Sequence, residues 1–238
     1  MKKFINLFKY FLNPLNLNHY HYLNLYLYLY LYLLIVFALT QPACSPSLIN
    51  LDTAKDRVAT YYESGEYEKE LTAIIDDAKK KFAKLEVQDN SVVVFDLDET
   101  ALDNYEAIKK IGFGYEPKYW DDWVQQGAAP ANKKVKELYE FLLRKGFKII
   151  FLSGKTDTQY DATFRNLINV GYERFDTLIV RSQKDYKTKA AQFKAEKRKE
   201  LTDKGYNIVG CVGDQESDCA GENSGIIVKL PNYLYLVE

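Results

Sequence analysis

Two aspartates spaced two apart, Asp96 and Asp98, close the run Val92-Val93-Val94-Phe95-Asp96-Leu97-Asp98-Glu99-Thr100. On a strand, side chains two apart point to the same side. An apolar strand entering this run would therefore present both carboxylates together at its carboxyl end. In an open parallel sheet that end is where ligands bind. Two like charges held this close are costly unless a cation or a proton sits with them. The chemistry favoured is a metal-assisted nucleophile beside a general acid.

Composition narrows the alternatives. The only histidines are His19 and His21, both near the start of the chain. If that leader is removed, no histidine remains for a Ser-His-Asp triad, a phosphohistidine or a His-ligated zinc. Cys44, Cys211 and Cys219 show no CxxC spacing, and no arginine follows Cys211 as a thiolate phosphatase loop requires. Carboxylates, Lys, Ser/Thr and a metal are left to do the chemistry.

Residues 1–43 read as an export signal. Lys2, Lys3 and Lys9 give a positive start, and no acidic residue precedes Asp52. Leu25 to Leu39 is an apolar, tyrosine-rich run of 15 residues, short for a membrane span but suited to a signal h-region. Its Leu-Tyr alternation fits a strand on pattern alone. Leu39-Thr40-Gln41-Pro42-Ala43-Cys44 has a small residue before a cysteine, as bacterial lipoprotein cleavage sites do, although Gln41 and Pro42 are unusual there. A lipid anchor at Cys44, a plain cleaved signal and an uncleaved anchor all stay open. The expected location is a bacterial periplasm or outer membrane, or outside the cell. Cleavage before Cys44 leaves 195 residues, one domain by length, with 29 basic and 33 acidic residues and a net charge of −4. That balance gives no nucleic-acid surface. Cys211 and Cys219 are expected as free thiols, Cys211 on a buried strand, though their spacing permits a disulfide.

The elements that must position the aspartates follow from periodicity. Residues 44–90 form an N-terminal helical extension. Within it, Ser47 to Leu85 holds two amphipathic stretches split by the turn signal Glu63-Ser64-Gly65-Glu66, with Ile74, Ile75, Ala78 and Phe82 at helix spacing. Lys79-Lys80-Lys81 reads as a solvated helix end. Residues 91–238 then alternate strand and helix. Strands are expected at Val92–Phe95, Phe147–Leu152, Thr177–Val180, Asn207–Val212 and Gly225–Leu230. Helices are expected at Asn132–Lys145, Asp157–Val170 and Thr188–Lys204, stopped by Gly146, Gly171 and Gly205. The fold class is α/β, a Rossmann-like parallel sheet with helices on both faces. A small cap-like insertion over about 101–130 follows the first strand.

The first, second and fourth strands each run into a polar group: Asp96/Asp98, Ser153 and Asp214. If these strands are neighbours, the groups converge on one edge. Gly213-Asp214-Gln215-Glu216-Ser217-Asp218 adds Asp218 in a tight turn. At ~4 Å and an effective dielectric of about 20, each carboxylate pair repels by about 4 kcal/mol. A divalent cation relieves this, and an all-oxygen site suits Mg2+.

These residues carry a signature. The chain resembles the haloacid dehalogenase superfamily of phosphotransferases, whose first motif is DxDxT. Within it, the chain is most similar to the class B/vegetative storage protein acid phosphatases (subfamily IIIB) and the bacterial outer-membrane lipoprotein phosphatases. The similarity runs from about Tyr61 to Val237. It includes Ser64-Gly65-Glu66-Tyr67, Leu102-Asp103-Asn104, Trp120-Asp121-Asp122-Trp123, Gly213-Asp214-Gln215 with Ser217-Asp218, and Lys229-Leu230-Pro231-Asn232.

The resemblance implies roles. Asp96 is the nucleophile that forms an aspartyl-phosphate. Asp98 protonates the leaving oxygen, then activates water, and its backbone carbonyl ligates Mg2+. Ser153, of the second motif, hydrogen-bonds the transferring phosphoryl group. Lys194, in Phe193-Lys194-Ala195-Glu196-Lys197-Arg198, is the expected third-motif lysine, with Lys187 in Tyr186-Lys187-Thr188 as its rival. Asp96, Asp98 and Asp214 make the metal set. Thr100, Gly154 and Asp218 support it, Asp218 by positioning the metal or orienting the lysine. Physically, a carboxylate can approach a phosphate dianion only if cations offset their repulsion. One departure is Phe151-Leu152-Ser153-Gly154-Lys155, where relatives often carry arginine in place of Lys155. A lysine there is a point charge without bidentate geometry.

The resemblance implies a Mg2+-dependent acid phosphatase acting on small phosphomonoesters, with nucleoside monophosphates among the candidates. A phosphotransferase or 5′-nucleotidase of the same fold is the nearer alternative. A non-catalytic storage or binding lipoprotein is the farther one, since storage relatives can lack the nucleophile that this chain keeps. Tyr115, Tyr119, Trp120 and Trp123 in the long segment Tyr105–Pro130 either pack a cap or stack on a leaving group. Trp120 and Trp123, three apart, would share a helix face. The oligomeric state is not written in the sequence.

Overall fold

The computed structural model describes residues 14–39 and 48–237. The chain divides between Ile49 and Asn50. The first unit holds one helix, α1 (Pro14–Leu39). The Leu-Tyr alternation therefore forms a helix and not a strand. A helix satisfies its backbone groups internally, whereas a strand needs a partner for them. Among the described residues, no helix is long and apolar enough to cross a membrane. The expected cleavage and lipidation site at Cys44 lies outside the described residues.

The second unit opens with α2 (Leu51–Glu63) and α3 (Glu66–Ala83). The Asn50 side chain caps α2 by accepting from the Asp52 N–H at 2.9 Å, and the helices break at Ser64-Gly65 as the turn signal predicts. Leu71, Ile75, Ala78 and Phe82 form one buried stripe on α3. The lysine run reaches the last turn of that helix, where Lys80 and Lys81 are exposed. Lys79 pairs with Glu137, and Lys81 with Asp77.

Five parallel strands follow: β1 (Ser91–Phe95), β2 (Lys148–Thr156), β3 (Thr177–Arg181), β4 (Asn207–Gly213) and β5 (Ile226–Lys229), in the order β3-β2-β1-β4-β5. The fold is thus the expected α/β type. Between β1 and β2 come α4 (Tyr105–Lys110), α5 (Pro117–Gln126) and α6 (Lys133–Lys145). Then α7 (Tyr160–Asn169) links β2 to β3, α8 (Ala190–Asp203) links β3 to β4, and the one-turn α9 (Glu216–Cys219) links β4 to β5. The strand order reverses direction beside β1, so β1 and β4 flank the switch point where such sheets bind ligands.

Strand alternation divides the core. Val93, Phe95, Ile149 and Phe151 pack with α3 and α6 side chains on one face, and Val92, Val94, Ile150 and Leu152 pack with Phe193 and Leu201 of α8 on the other. Each such apolar side chain contributes roughly 1.5–3 kcal/mol when fully buried. The Phe82 ring lies so close over Gly210 of β4 that any Cβ there would collide with it. The glycine thus lets α3 settle onto the sheet.

Three boundaries differ from expectation. β2 does not stop at Leu152 but runs on through Ser153-Gly154-Lys155 to Thr156, with its register to β3 broken between Leu152 and Thr156. The expected helices at 157 and 188 begin later, after short 3-10 turns at Asp157–Gln159 and Gln183–Asp185. In both turns a local side chain–backbone capping pair (Thr156 with Gln159, Ser182 with Asp185) competes with helix. Cys211 and Cys219 are buried free thiols, and Cys211 Sγ donates to the Asp218 carbonyl at 3.3 Å.

Candidate active site

The strand hydrogen bonds of β1 carry one residue past Phe95, where the Asp96 N–H donates to the Val212 carbonyl at 2.9 Å. The chain then turns. Thr100 N and Leu102 N both bond back to the Leu97 carbonyl, and Glu99 takes a left-handed backbone with φ 55°. Strand alternation therefore no longer governs Asp98. Both carboxylates nevertheless line one cavity, each paired with a different lysine.

Lys194 Nζ donates to Asp96 Oδ1 and to Asp218 Oδ1, both at 2.5 Å, with all three side chains buried. Lys194 reaches them from the buried face of α8, which it shares with Ala190, Phe193, Arg198 and Leu201. Lys155, at the end of β2, bonds both carboxylate oxygens of Asp98. Its ammonium also lies 5.4 Å from the Trp120 ring centroid. Asn104 Nδ2 donates to Asp98 Oδ1 at 3.0 Å, and its own Oδ1 accepts from Trp123 Nε1 at 2.9 Å. The two tryptophans thus divide their labour: Trp120 covers Lys155, and Trp123 anchors the asparagine that holds Asp98.

The turn after β4 supplies the remaining acids. Gly213 admits Asp218, whose carboxylate would strike a Cβ at that position. Asp218 Oδ2 accepts from the Gln215 N–H at 2.8 Å. Arg198, fully buried, donates to the carbonyls of Asp218 (2.5 Å) and Ala220 and so fixes the end of α9. Asp214 Oδ1 accepts from Thr100 Oγ1 at 3.0 Å. Asp214 Oδ2 accepts from Gln215 Nε2 and Asn232 Nδ2, each at 2.6 Å.

Asp96, Asp214 and Asp218 each offer an oxygen within 4.8 Å of the others. Three buried carboxylates thus face one lysine. Burial pushes the Asp96 carboxyl well above the usual range, Asp218 pushes it further, and Lys194 pulls it back. Burial likewise raises Asp214, followed by the charge of Asp218, against the hydrogen bonds from Asn232 and Gln215. For Lys194, burial disfavours the charge, but Asp96 and Asp218 outweigh it and raise the pKa. Glu99 is raised by burial and by Asp98 and Asp214, and is capped by the Tyr235 hydroxyl. Nearby, the buried Ser217 Oγ has no hydrogen-bond partner in the protein, a donor left for a ligand oxygen. An excess of negative charge and oxygen-only ligands fit a hard divalent cation.

The acids open into a cavity of ≈ 610 Å3. Asp96, Asp98, Gly154, Lys194, Asp214 and Asp218 line it, as do Lys155 and Ser217. Ser153 does not line it; it is buried and accepts the Lys155 N–H at 3.2 Å. Thr100 also lies off the lining and acts on Asp214. Lys187 is exposed and outside the cavity, so of the two rival lysines only Lys194 reaches Asp96. The opposite wall is apolar, from Phe113, Tyr119 and Trp120 of the insertion and from Leu234 to Val237 near the chain's end. Tyr119 also donates to the Ala107 carbonyl at 3.2 Å. Sequence reasoning assigned no role to Glu99, Asn104, Arg198, Gln215, Asn232 or Tyr235. Asn104, Arg198, Gln215 and Asn232 lie inside recognisable motifs, but no periodicity marks them as site residues.

Known proteins resemble this chain in sequence and fold. The family model for the HAD superfamily, subfamily IIIB (acid phosphatase), matches residues 40–238. The stem 28 kDa glycoprotein of Glycine max is 37% identical over 184 residues, 75% of this chain and 72% of that protein. Acid phosphatase 1 of Solanum lycopersicum is 32% identical over 188 residues, 76% of this chain and 74% of that protein. Among solved structures, the class C acid phosphatase from Bacillus anthracis superposes with a TM-score of 0.63 at 25% identity, covering 78% of this chain and 85% of that one. With its sheet, acids and lysine in the arrangement described above, the chain belongs to the HAD superfamily, in subfamily IIIB, the acid phosphatases, and is by class a phosphomonoesterase.

Proposed function

We propose that this protein hydrolyses small phosphomonoesters with Mg2+ as its cofactor and Asp96 as a covalent nucleophile. The observation that carries the reading is the Lys194 ammonium shared by two buried carboxylates, Asp96 and Asp218, at 2.5 Å. A fixed cation is thereby built in where a nucleophilic carboxylate must meet a phosphate. An Asp96 oxygen attacks phosphorus, forming the acyl-phosphate bond as the ester P–O bond breaks. Asp98 gives its proton to the leaving alkoxide. In the second step Asp98 takes a proton from water as that water attacks phosphorus, releasing phosphate and restoring Asp96. Mg2+, held by the carboxylates of Asp96 and Asp214 and the backbone carbonyl of Asp98, would supply positive charge to the phosphoryl oxygens. Asp218 orients Lys194, and Lys155 holds Asp98 on the cavity side. Ser153 and Thr100 shape this frame from behind, and Gly154 from the cavity side.

The apolar wall suits phosphate esters with a flat or apolar leaving group, aryl or nucleoside. The basic start of the chain and the apolar helix behind it support export, with Cys44 as the lipid attachment point. An intact-mass measurement of the mature protein tests that part.

The central experiment is phosphate release from p-nitrophenyl phosphate and a panel of nucleoside monophosphates by the purified protein, with Mg2+ or EDTA. Hydrolysis is expected with Mg2+ and should disappear on chelation. Replacement of Asp96 by Asn should cut turnover by at least about 10³-fold. Activity that persists unchanged in EDTA sinks the metal role. An Asp96→Asn variant as fast as the wild type sinks the covalent route, whereas a wild-type chain that releases no phosphate from any ester favours a non-catalytic storage protein.

A further inference from the structure

The segment after β5 does more than cover the sheet edge. Asn232 Nδ2 donates to Asp214 Oδ2 at 2.6 Å. The orientation of that amide is over-determined, because its Oδ1 already accepts the Leu234 N–H at 2.7 Å. Only the NH2 end can then face Asp214. The same Asp214 oxygen accepts Gln215 Nε2 at 2.6 Å, which fills its two lone-pair directions. Gln215 is in turn tied to the same segment: its Oε1 accepts the Val237 N–H at 3.0 Å, and its Nε2 also reaches the Tyr235 carbonyl at 3.4 Å. The Tyr235 hydroxyl donates to Glu99, in the turn that carries Asp96 and Asp98. The two halves of the acidic site are thus laced together from residues 232–237.

We infer that Asn232 is a positioning residue for the cation site: by occupying Asp214 Oδ2 it reserves Oδ1, which accepts only the Thr100 hydroxyl, for metal ligation. The inference rests on the proposed metal-dependent reading and adds a residue to it. Groups that hydrogen-bond a ligating carboxylate typically govern metal affinity by about 10–100-fold. Asn232 touches neither the reacting atoms nor the cation itself, so its effect passes through Asp214.

The test is Mn2+ and Mg2+ binding to the full chain by calorimetry, beside the Mg2+ dependence of p-nitrophenyl phosphate hydrolysis. Two variants separate the donor from the turn. Asn232→Ala removes both. Asn232→Ser keeps an oxygen to accept the Leu234 N–H, as serine does in such turns, but is too short to donate to Asp214. Both variants should bind either ion about 10-fold more weakly, and the Mg2+ concentration for half activity should rise by the same factor. At saturating Mg2+, KM for the ester should match the wild type. If Asn232→Ala does not fold, Asn232→Ser decides. Wild-type metal affinity in a folded Asn232→Ser variant overturns the assignment while leaving the metal reading intact. A wild-type chain that binds neither ion removes the metal reading, and this assignment with it.

Discussion

The cavity has two walls that are built differently. On the core side, Asp96, Asp214, Asp218 and Lys194 hang from the carboxyl ends of β1 and β4 and from the buried face of α8, and all are nearly inaccessible to water. On the cap side, Trp120 covers Lys155 of β2 and Trp123 holds Asn104, and through these two residues they bear on Asp98, the one aspartate of the four that stays partly exposed. One lysine serves each wall. Lys194 is shared by two acids deep in the fold, whereas Lys155 pairs with one acid and rests on an aromatic ring. Interactions in a low dielectric are stronger and costlier to leave unpaired. The core wall should therefore control turnover and stability together, and the cap wall should act on turnover and affinity with little effect on stability.

Breaking the core wall should give the largest effect. Lys194→Met leaves Asp96 and Asp218 facing each other without their cation. Turnover should fall by about 10³-fold or more, and stability by about 3–5 kcal/mol, the usual cost of stranding one partner of a buried pair. Steady-state kinetics with a urea melt of the same variant read both quantities. A large loss of turnover with unchanged stability would mean that the two carboxylates relax by taking up a proton. Next comes Lys155→Gln, which strands a partly solvated Asp98. Its expected cost is about 1.5–3 kcal/mol, that of one hydrogen bond to a charged group. It should appear mainly as a 10- to 100-fold loss in kcat/KM, with the melt little changed; a melt as damaged as that of Lys194→Met would erase the distinction between the walls. The smallest effect should come from Trp120→Ala. Loss of the cation–π contact is worth about 0.5–2 kcal/mol, or roughly 2- to 30-fold in KM, and should be larger for aryl than for alkyl phosphates. Equal changes for both ester types would make Trp120 a packing residue only.

The same division explains what could be read from the sequence. The core wall is written locally: an apolar strand before Asp96, another before Asp214, and a helix that puts Lys194 on its buried stripe. Sheet topology then needs only the rule that sequential β–α units are parallel. Asp98 reaches the cavity by a route that alternation does not describe, because that rule stops where the strand stops, and Glu99 in the following turn is held by nearby Asn104 and distant Tyr235. The cap wall depends on contacts between residues far apart in the chain. Neither Trp120 over Lys155 nor Asn232 against Asp214 leaves a period or a spacing to find. β2 outlasted its expected end because Ser153-Gly154-Lys155 is polar, and polar residues at a sheet's ligand end look like loop.

The ring of Phe82 seated on Gly210 carries a consequence for how the molecule comes into being. As the chain is made, α3 emerges early and β4 late, so Phe82 must wait for Gly210 until nearly the whole polypeptide exists, even though the rest of the stripe can already meet α6. Contacts this distant in sequence make for slow closure. A nascent chain cut short before β4 would leave the Phe82 ring without its seat on the sheet, and would be a natural target for chaperones.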